Sequence, residues 1–232
     1  MPEEAKRGLS IRLENIVLPL DKKSMGPFSL SLDPGDVCEI QSTASDRVRL
    51  FLRFLATFQK PLSGRYLLDG EALDFSAYQA LLPVKRRIAY ISTETTLITN
   101  RSLQENILMG QAWHQNTMHP KMDERCLALC RFFCIDDKLH LRPAAISTMG
   151  RRAAIVVRGL AKQPDLILVE RPEEFVGKNR KEVFLRTLKE CSREGVTLVF
   201  WTDDENLGRG WRTRKWVLEE DFLQVYPLDE KE

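Results

Sequence analysis

Two apolar runs on either side of an amphipathic segment constrain this chain more than anything else in it. "LILVE" (166–170) and "VTLVFWT" (196–202) show no alternation of apolar and polar residues, so each reads as a strand covered on both faces. Between them, "KEVFLRTLKECSREG" (181–195) repeats apolar residues at helical spacing and stops at Gly195. A further helix, "RRAAIVVRGLAKQ" (151–163), leads through Pro164-Asp165 into the first of the two strands. Helix and buried strand alternate twice, which predicts a parallel sheet with right-handed crossovers.

The first part of the chain is richer in strands. "LSIRLENIVL" (9–18) and "GPFSLSLDPGDVCEI" (26–40) alternate around Pro34-Gly35 and read as antiparallel strands joined by turns. Val48, Phe51, Leu52, Leu55 and Phe58 then recur at helical spacing, and "KPLSG" stops that helix. "RYLLDGEALD" (65–74) carries the Asp-Gly of a tight hairpin, and "RRIAYIS" (86–92) is a short apolar strand. From about 101 to 135 the pattern is helical, with Leu103, Ile107 and Leu108 in one segment and Leu127, Cys130, Phe133 and Cys134 in another.

Composition excludes more than it identifies. With 35 Lys and Arg against 33 Asp and Glu, a net charge of +2 provides no basic footprint for nucleic acid. "MPEEAKRGLSIRLENI" opens with acids and has no apolar h-region, and no run approaches the roughly 18 apolar residues of a membrane span. The expectation is a cytoplasmic protein without direct membrane insertion, whose five cysteines are reduced thiols. Cys126, Cys130 and Cys134 lie four apart and suit a packed stripe on one helix face better than a metal site. His114, His119 and His140 are scattered and suit the surface. Trp201 ends a strand, while Trp211 and Trp216 sit in "GRGWRTRKWVL", which alternates like an edge strand. "KRR" (85–87) and "GRR" (150–152) read as solvated ends of elements, the second a candidate face for a dimer partner.

"QSTASDRVRLFLRFLATFQKPLSG" (41–64) has the outline of a phosphate-binding loop opening into a helix. Around it stand "PGDVCEI", "FLRFLATFQKPLSGRYLLDGEAL", "RRIAYIS", "LQENILMG", "VVRGLAKQPDLILVERP" and "GVTLVFWTDD", six blocks in one order. In this layout the chain resembles the nucleotide-binding subunit of an ATP-binding-cassette (ABC) transporter, from about residue 10 to about residue 225. The resemblance implies an α/β fold of the P-loop NTPase-like ABC ATPase type. It would have a mostly parallel core sheet, an N-terminal antiparallel β-subdomain and a helical subdomain. Residues 1–232 would form one such domain, with the core and the β lobe at about 8–92 and 151–225 and the helical subdomain at about 94–150.

The positions that carry chemistry in that family are altered here. A working phosphate loop needs flexible residues whose amides wrap the phosphates, a lysine, and a hydroxyl on Mg²⁺. Matching on "FLATFQKPLSG" places Ser42, Ser45 and Arg47 at the glycines, Val48 at the lysine and Arg49 at the Mg²⁺ ligand. Arg47 and Arg49 could offer guanidinium groups to a phosphate, opposed by neighbouring Asp46. A simpler expectation is that Ser45 or Asp46 caps the helix and takes up its free amides. By the same likeness Thr93 stands at the glutamine of the Q-loop, Glu170 at the Mg²⁺-holding acid, Arg171 at the catalytic glutamate and Asp203 at the histidine after the last strand. Arg171 cannot accept a proton as a general base. The signature segment would be "ISTMG" (146–150), where Ser147 survives but Thr148 and Met149 replace glycines. Leu20 lies where an aromatic ring would stack on adenine.

The resemblance therefore implies a catalytically inactive transporter subunit. It would dock on a transmembrane permease at the inner face of the cell membrane and pair with a competent ATPase as a homo- or heterodimer. No cofactor is expected. Thr93 and the helical insertion, with Trp113, Phe132 and Phe133, are candidates for the permease contact, and the insertion ending in "LRPAAIST" resembles the importer and lipid-transport branches. Two alternatives stand beside it: an active ATPase that binds ATP and Mg²⁺ through Arg47, Arg49 and Glu170, and a free-standing scaffold or regulatory protein of the same fold.

Overall fold

The computed structural model of the protein describes residues 8–21, 23–117, 120–204, 206–219 and 222–227. His119 and the "LDEKE" tail lie outside the described residues, as do residues 1–7 and the side chain of His114. In chain order the elements are β1 (Ile11–Leu20), β2 (Lys23–Leu32), β3 (Val37–Gln41), α1 (Ser45–Leu55), β4 (Ser63–Leu68), β5 (Glu71–Ala72), α2 (Tyr78–Arg87), β6 (Ile88–Ile91), α3 (Leu103–His114), α4 (Glu124–Phe132), α5 (Thr148–Leu160), β7 (Leu166–Glu170), α6 (Pro172–Phe175), α7 (Lys178–Arg193), β8 (Thr197–Trp201), β9 (Arg214–Glu219) and β10 (Phe222–Pro227).

Two sheets result. The smaller is antiparallel in the order β2-β1-β4-β5, and the larger runs β10-β9-β3-β8-β7-β6 with parallel pairing from β9 to β6. The expected α/β arrangement with a parallel core is therefore present. All five residues of β7 and all five of β8 are buried, because successive side chains enter opposite cores. Ile167, Val169, Leu198 and Phe200 pack with Ala153, Val157 and Phe184 from the helical side. Leu166, Leu168, Val199 and Trp201 pack with Phe51 and Trp216 under the antiparallel sheet.

β3 departs from the expected antiparallel pairing across Pro34-Gly35. It leaves the first sheet altogether and lies parallel between β8 and β9. Within it Glu39 is fully buried, paired with Arg212 at 3.0 Å and with Gln41 Nε2 at 2.7 Å. A polar residue inside a strand signals a solvated face, and here the signal misleads because the partner is 173 residues away. "GRGWRTRKWVL" is likewise no edge strand: β9 is flanked by β3 and β10, Trp216 is buried in the core, and Trp211 precedes the strand, stacked on Phe200 at 5.3 Å.

Helix boundaries also shift. α1 ends at Leu55, so Phe54 faces the core and Phe58, expected on the buried stripe, is 55% exposed beyond the end. Arg86 and Arg87 close α2 and do not open the strand. Arg87 is ion-paired with Asp69 and Asp165, both at 2.7 Å, so "KRR" is only in part a solvated end. α5 begins at Thr148, three residues earlier than expected, with Ser147 as its N-cap. Cys126 and Cys130 are buried on α4, but Cys134 is exposed beyond that helix, so the expected three-cysteine stripe is a pair.

Candidate functional site

The turn from β3 into α1 is held by Ser42. Its Oγ donates to the Leu218 carbonyl at 2.6 Å and accepts from the Ala44 amide at 3.0 Å. The N-cap position is Ala44, with no side-chain cap, so neither Ser45 nor Asp46 closes the helix as expected. A missing cap costs about 1 kcal/mol. Burial of Val48, Phe51, Leu52, Phe54 and Leu55, at about 1.5–3 kcal/mol each, outweighs it. Val48 is fully buried, so the position of the expected lysine is spent on the core.

Arg49 emerges on the other side of α1 and meets the end of β7. Its Nε lies 3.5 Å from Glu170 Oε2, an ion pair without good hydrogen-bond geometry. Glu170 is 1% exposed and also accepts from the Tyr90 hydroxyl at 2.6 Å and from Thr93 Oγ1 at 3.4 Å. Burial, followed by the bond to Glu170, raises the Tyr90 phenol well above its ordinary value. One turn along α1, Arg53 pairs with Glu94 at 3.1 Å, so Arg49 ties α1 to the end of β7 and Arg53 ties it to the residues after β6.

Arg171 follows Glu170 with a backbone φ of 43°. Its amide donates to the Trp201 carbonyl at 2.8 Å, its guanidinium lies 4.5 Å from the Trp201 ring centroid, and it is ion-paired with Asp203. Glu173 accepts from Thr202 Oγ1 at 2.9 Å and from the Asp203 amide at 3.3 Å. Together Ser42, Thr43, Ser45, Arg171, Thr202 and Asp203 border an open cleft of about 560 Å³.

The structure thus joins Arg49, Thr93 and Glu170 in one cluster and Arg171 with Asp203 in a second. Ser147 joins neither. Its Oγ accepts from the Gly150 amide at 3.2 Å, and a Cβ on Gly150 would come within 2.6 Å of Ile146, so glycine is required there. Arg151 donates to the Pro143 and Ile146 carbonyls and to Thr148, and Arg152 to the Phe175 carbonyl, so "GRR" folds back on its own chain instead of forming a solvated end. Asp46 and Thr93 are exposed, and Arg47 is half-buried.

Of the expected partner contacts, Trp113 is 73% exposed, whereas Phe133 is fully buried against Phe184 and Phe132 lies under Arg186, 4.6 Å from its ring centroid. Phe133 is therefore core: α4 turns it toward α7. A second cleft, beside Thr95 and the helical insertion, contains the expected Trp113 together with Phe58, Tyr78, Lys85 and Lys162, of which the α2 residues were not anticipated in the sequence. The available signal was the unbroken apolar and basic stretch "YQALLPVKRR", disguised by Pro83 within α2.

Of the residues expected at the phosphate and Mg²⁺ positions, Val48 is buried in the core, Arg49 is paired with Glu170, and Ser42 accepts from the Ala44 amide. Among the described residues no group of three or more His, Cys, Asp or Glu side chains converges, and no helix is long and apolar enough to cross a membrane.

No family model matches the chain. It is 24% identical over 200 residues to the methionine import ATP-binding protein MetN of Mannheimia succiniciproducens, a match covering 84% of this chain but only 58% of that protein. It is 26% identical over 182 residues to a probable amino-acid ABC transporter ATP-binding protein of Haemophilus influenzae, covering 76% of this chain and 71% of the other. Among solved structures, a dimeric ATP-binding cassette, MJ0796, in a post-hydrolysis state with ADP and Pi superposes with a TM-score of 0.78 at 18% identity, over 93% of this chain and 98% of that one. The chain has the fold of an ATP-binding cassette and is similar in sequence, over most of its length, to the ATP-binding proteins of ABC transporters.

Proposed function

We propose that this chain is an ABC transporter subunit that no longer hydrolyses ATP, docks on a transmembrane permease at the cytoplasmic face and pairs with a competent ATPase. The observation that supports it best is internal saturation. Three of the places where a cassette would handle nucleotide are engaged by the chain itself: Ser42 on Ala44 and Leu218, Arg49 on Glu170, Arg171 on Asp203 and Trp201. Removing those contacts to admit a ligand costs energy that a glycine loop would not require. In this reading neither ATP nor Mg²⁺ is a resident cofactor, the whole chain is one cassette, and residues of about 94–150 form its partner-facing helical lobe, with Trp113 on the permease side.

Two measurements test it: binding of a fluorescent ATP analogue with Mg²⁺, and steady-state phosphate release by the purified subunit. The expected result is no micromolar binding and no turnover. Micromolar binding that disappears in Arg49→Ala, or turnover that disappears in Glu170→Gln, sinks the proposal. A second reading, an active ATPase with unorthodox ligands, draws support from the open cleft of about 560 Å³, which the hydroxyl side chains of Ser42, Thr43, Ser45 and Thr202 line together with Arg171. The same two assays separate the readings.

A further inference from the structure

A buried carboxylate needs a countercharge, and Glu170 is 1% exposed at the end of β7. Three stretches of chain converge on it. From β6 the Tyr90 hydroxyl donates to Oε1 at 2.6 Å, and from the segment after β6 Thr93 Oγ1 donates to Oε2 at 3.4 Å. From α1, Arg49 Nε stands 3.5 Å from Oε2. The two hydroxyls satisfy lone pairs without bringing charge, so the positive charge comes from Arg49. Arg171, next in the chain, turns instead onto the Trp201 ring and Asp203.

Arg49 Nε is itself buried and has no hydrogen-bond partner. Its contact with Glu170 is therefore one of charge rather than of a directed bond, as with a small cation. α1 fixes where the guanidinium can stand, because Val48, Phe51 and Leu52 around it in the helix are fully buried.

The same donor set suits Mg²⁺ poorly. That ion demands near-octahedral oxygen ligands at about 2.0–2.1 Å and is held by one or two carboxylates together with phosphates. Here one carboxylate, Glu170, is at hand, because Arg53 engages the nearby Glu94 at 3.1 Å. A divalent ion at either oxygen of Glu170 would also meet the like charge of Arg49.

We propose that the Arg49 guanidinium stands permanently in the place of a divalent cation, neutralising Glu170 and so holding Tyr90 and Thr93 to the end of β7 with no metal ion bound. The proposal rests on the reading above and adds what replaces the metal. Hydrogen bonds to an ionised acceptor are the stronger kind, so the charge balance at Glu170 also sets how firmly β6 and the segment after it are held.

The probe is terbium(III), an oxygen-seeking cation that emits when a neighbouring aromatic ring is excited, and Tyr90 touches the carboxylate. Wild type gives no more emission than Glu170→Gln, and its urea midpoint is the same in millimolar Mg²⁺ as in EDTA. Arg49→Ser removes the charge and offers a hydroxyl. It is less stable in EDTA and gains saturable emission that the Arg49→Ser/Glu170→Gln pair lacks. Mg²⁺ then stabilises it: at ten times the Kd its folded-to-unfolded ratio rises about elevenfold. Arg49→Lys keeps a cation in place and stays indifferent to Mg²⁺. Should Arg49→Ser fail to fold, the Arg49→Ser/Glu170→Gln pair, with no carboxylate to compensate, folds. Emission from wild type equal to that of Arg49→Ser, a folded Arg49→Ser that responds to neither cation, or a pair that stays unfolded overturns the proposal. Cation binding by wild type without phosphate release refutes the role of Arg49 alone, whereas phosphate release by wild type refutes the inactive subunit.

Discussion

In the proposed reading, placing a glutamate at Arg171 harms this chain without creating an enzyme. Arg171 is 32% exposed and Asp203 49%, so their ion pair contributes under about 1 kcal/mol. The guanidinium over Trp201 adds about 0.5–2 kcal/mol, since the ring is fully buried while the cation is partly solvated. Arg171→Gln therefore costs about 1–2 kcal/mol. Arg171→Glu loses the same contacts and adds a carboxylate beside Glu170 and Asp203. At a separation of about 6 Å and an effective dielectric of 20, one such repulsion is roughly 3 kcal/mol. The expected total is about 3–5 kcal/mol, a fall in Tm of about 6–20 °C for a chain of this size. Urea unfolding at low and high salt reads the difference between the two variants, which shrinks as salt screens the exposed part of the repulsion. Phosphate release is followed in parallel and stays at background. Equal stability of the two variants refutes the electrostatic reasoning, and sustained turnover in Arg171→Glu refutes the inactive loop.

Arg212→Met leaves Glu39 charged and buried, so it costs about 3–5 kcal/mol, whereas the Glu39→Leu/Arg212→Met pair recovers most of that in urea unfolding. Asn106→Leu removes the side chain that accepts from the Ile98 amide and donates to the Ile98, Arg101 and Ser102 carbonyls, for a loss of about 2–4 kcal/mol and faster hydrogen exchange at Ile98. Hydrogen bonds from the Ser102 amide first and from Arg101 next hold the Glu105 carboxyl down to about 2. A depressed carboxylate stabilises above its unfolded pKa and loses that contribution as pH falls. The stability difference between wild type and Glu105→Gln therefore fades between about pH 4.5 and pH 2, followed by chemical unfolding at a series of pH values.

What was legible in the sequence was what neighbours along the chain decide. β7 and β8 announced themselves because each carries four consecutive apolar residues, Leu166 to Val169 and Leu198 to Trp201. The hairpin at Asp69-Gly70 was equally local, both residues taking positive φ between Leu68 and its partner Glu71. The misreadings arose where a distant residue supplies the partner. Glu39 reads as a solvated position, yet Arg212, 173 residues away, covers it within a strand that lies parallel to β8. Ser45 and Asp46 looked like caps because capping is local, whereas Ser42 does the closing with a carbonyl from β9. Trp113 and Phe133 were indistinguishable as aromatic residues in one helical stretch. Only the packing of α4 on α7 separates an exposed ring from a core one. Of the aromatic cleft, Trp113 and the helical insertion were expected, but Phe58 and Tyr78 were not, because residues from separate parts of the chain meet there.

Arg49 ties α1 to the end of β7 and Arg53 ties it to the residues after β6, both with charges that belong to the chain itself. A tether made of the chain's own side chains does not vary with ligand concentration, so it carries no nucleotide signal of its own. In an assembly of the proposed type, all dependence on nucleotide concentration then arises in the partner ATPase. Transport saturates along a single hyperbola with a Hill coefficient of about one, where two communicating sites would give a sigmoid.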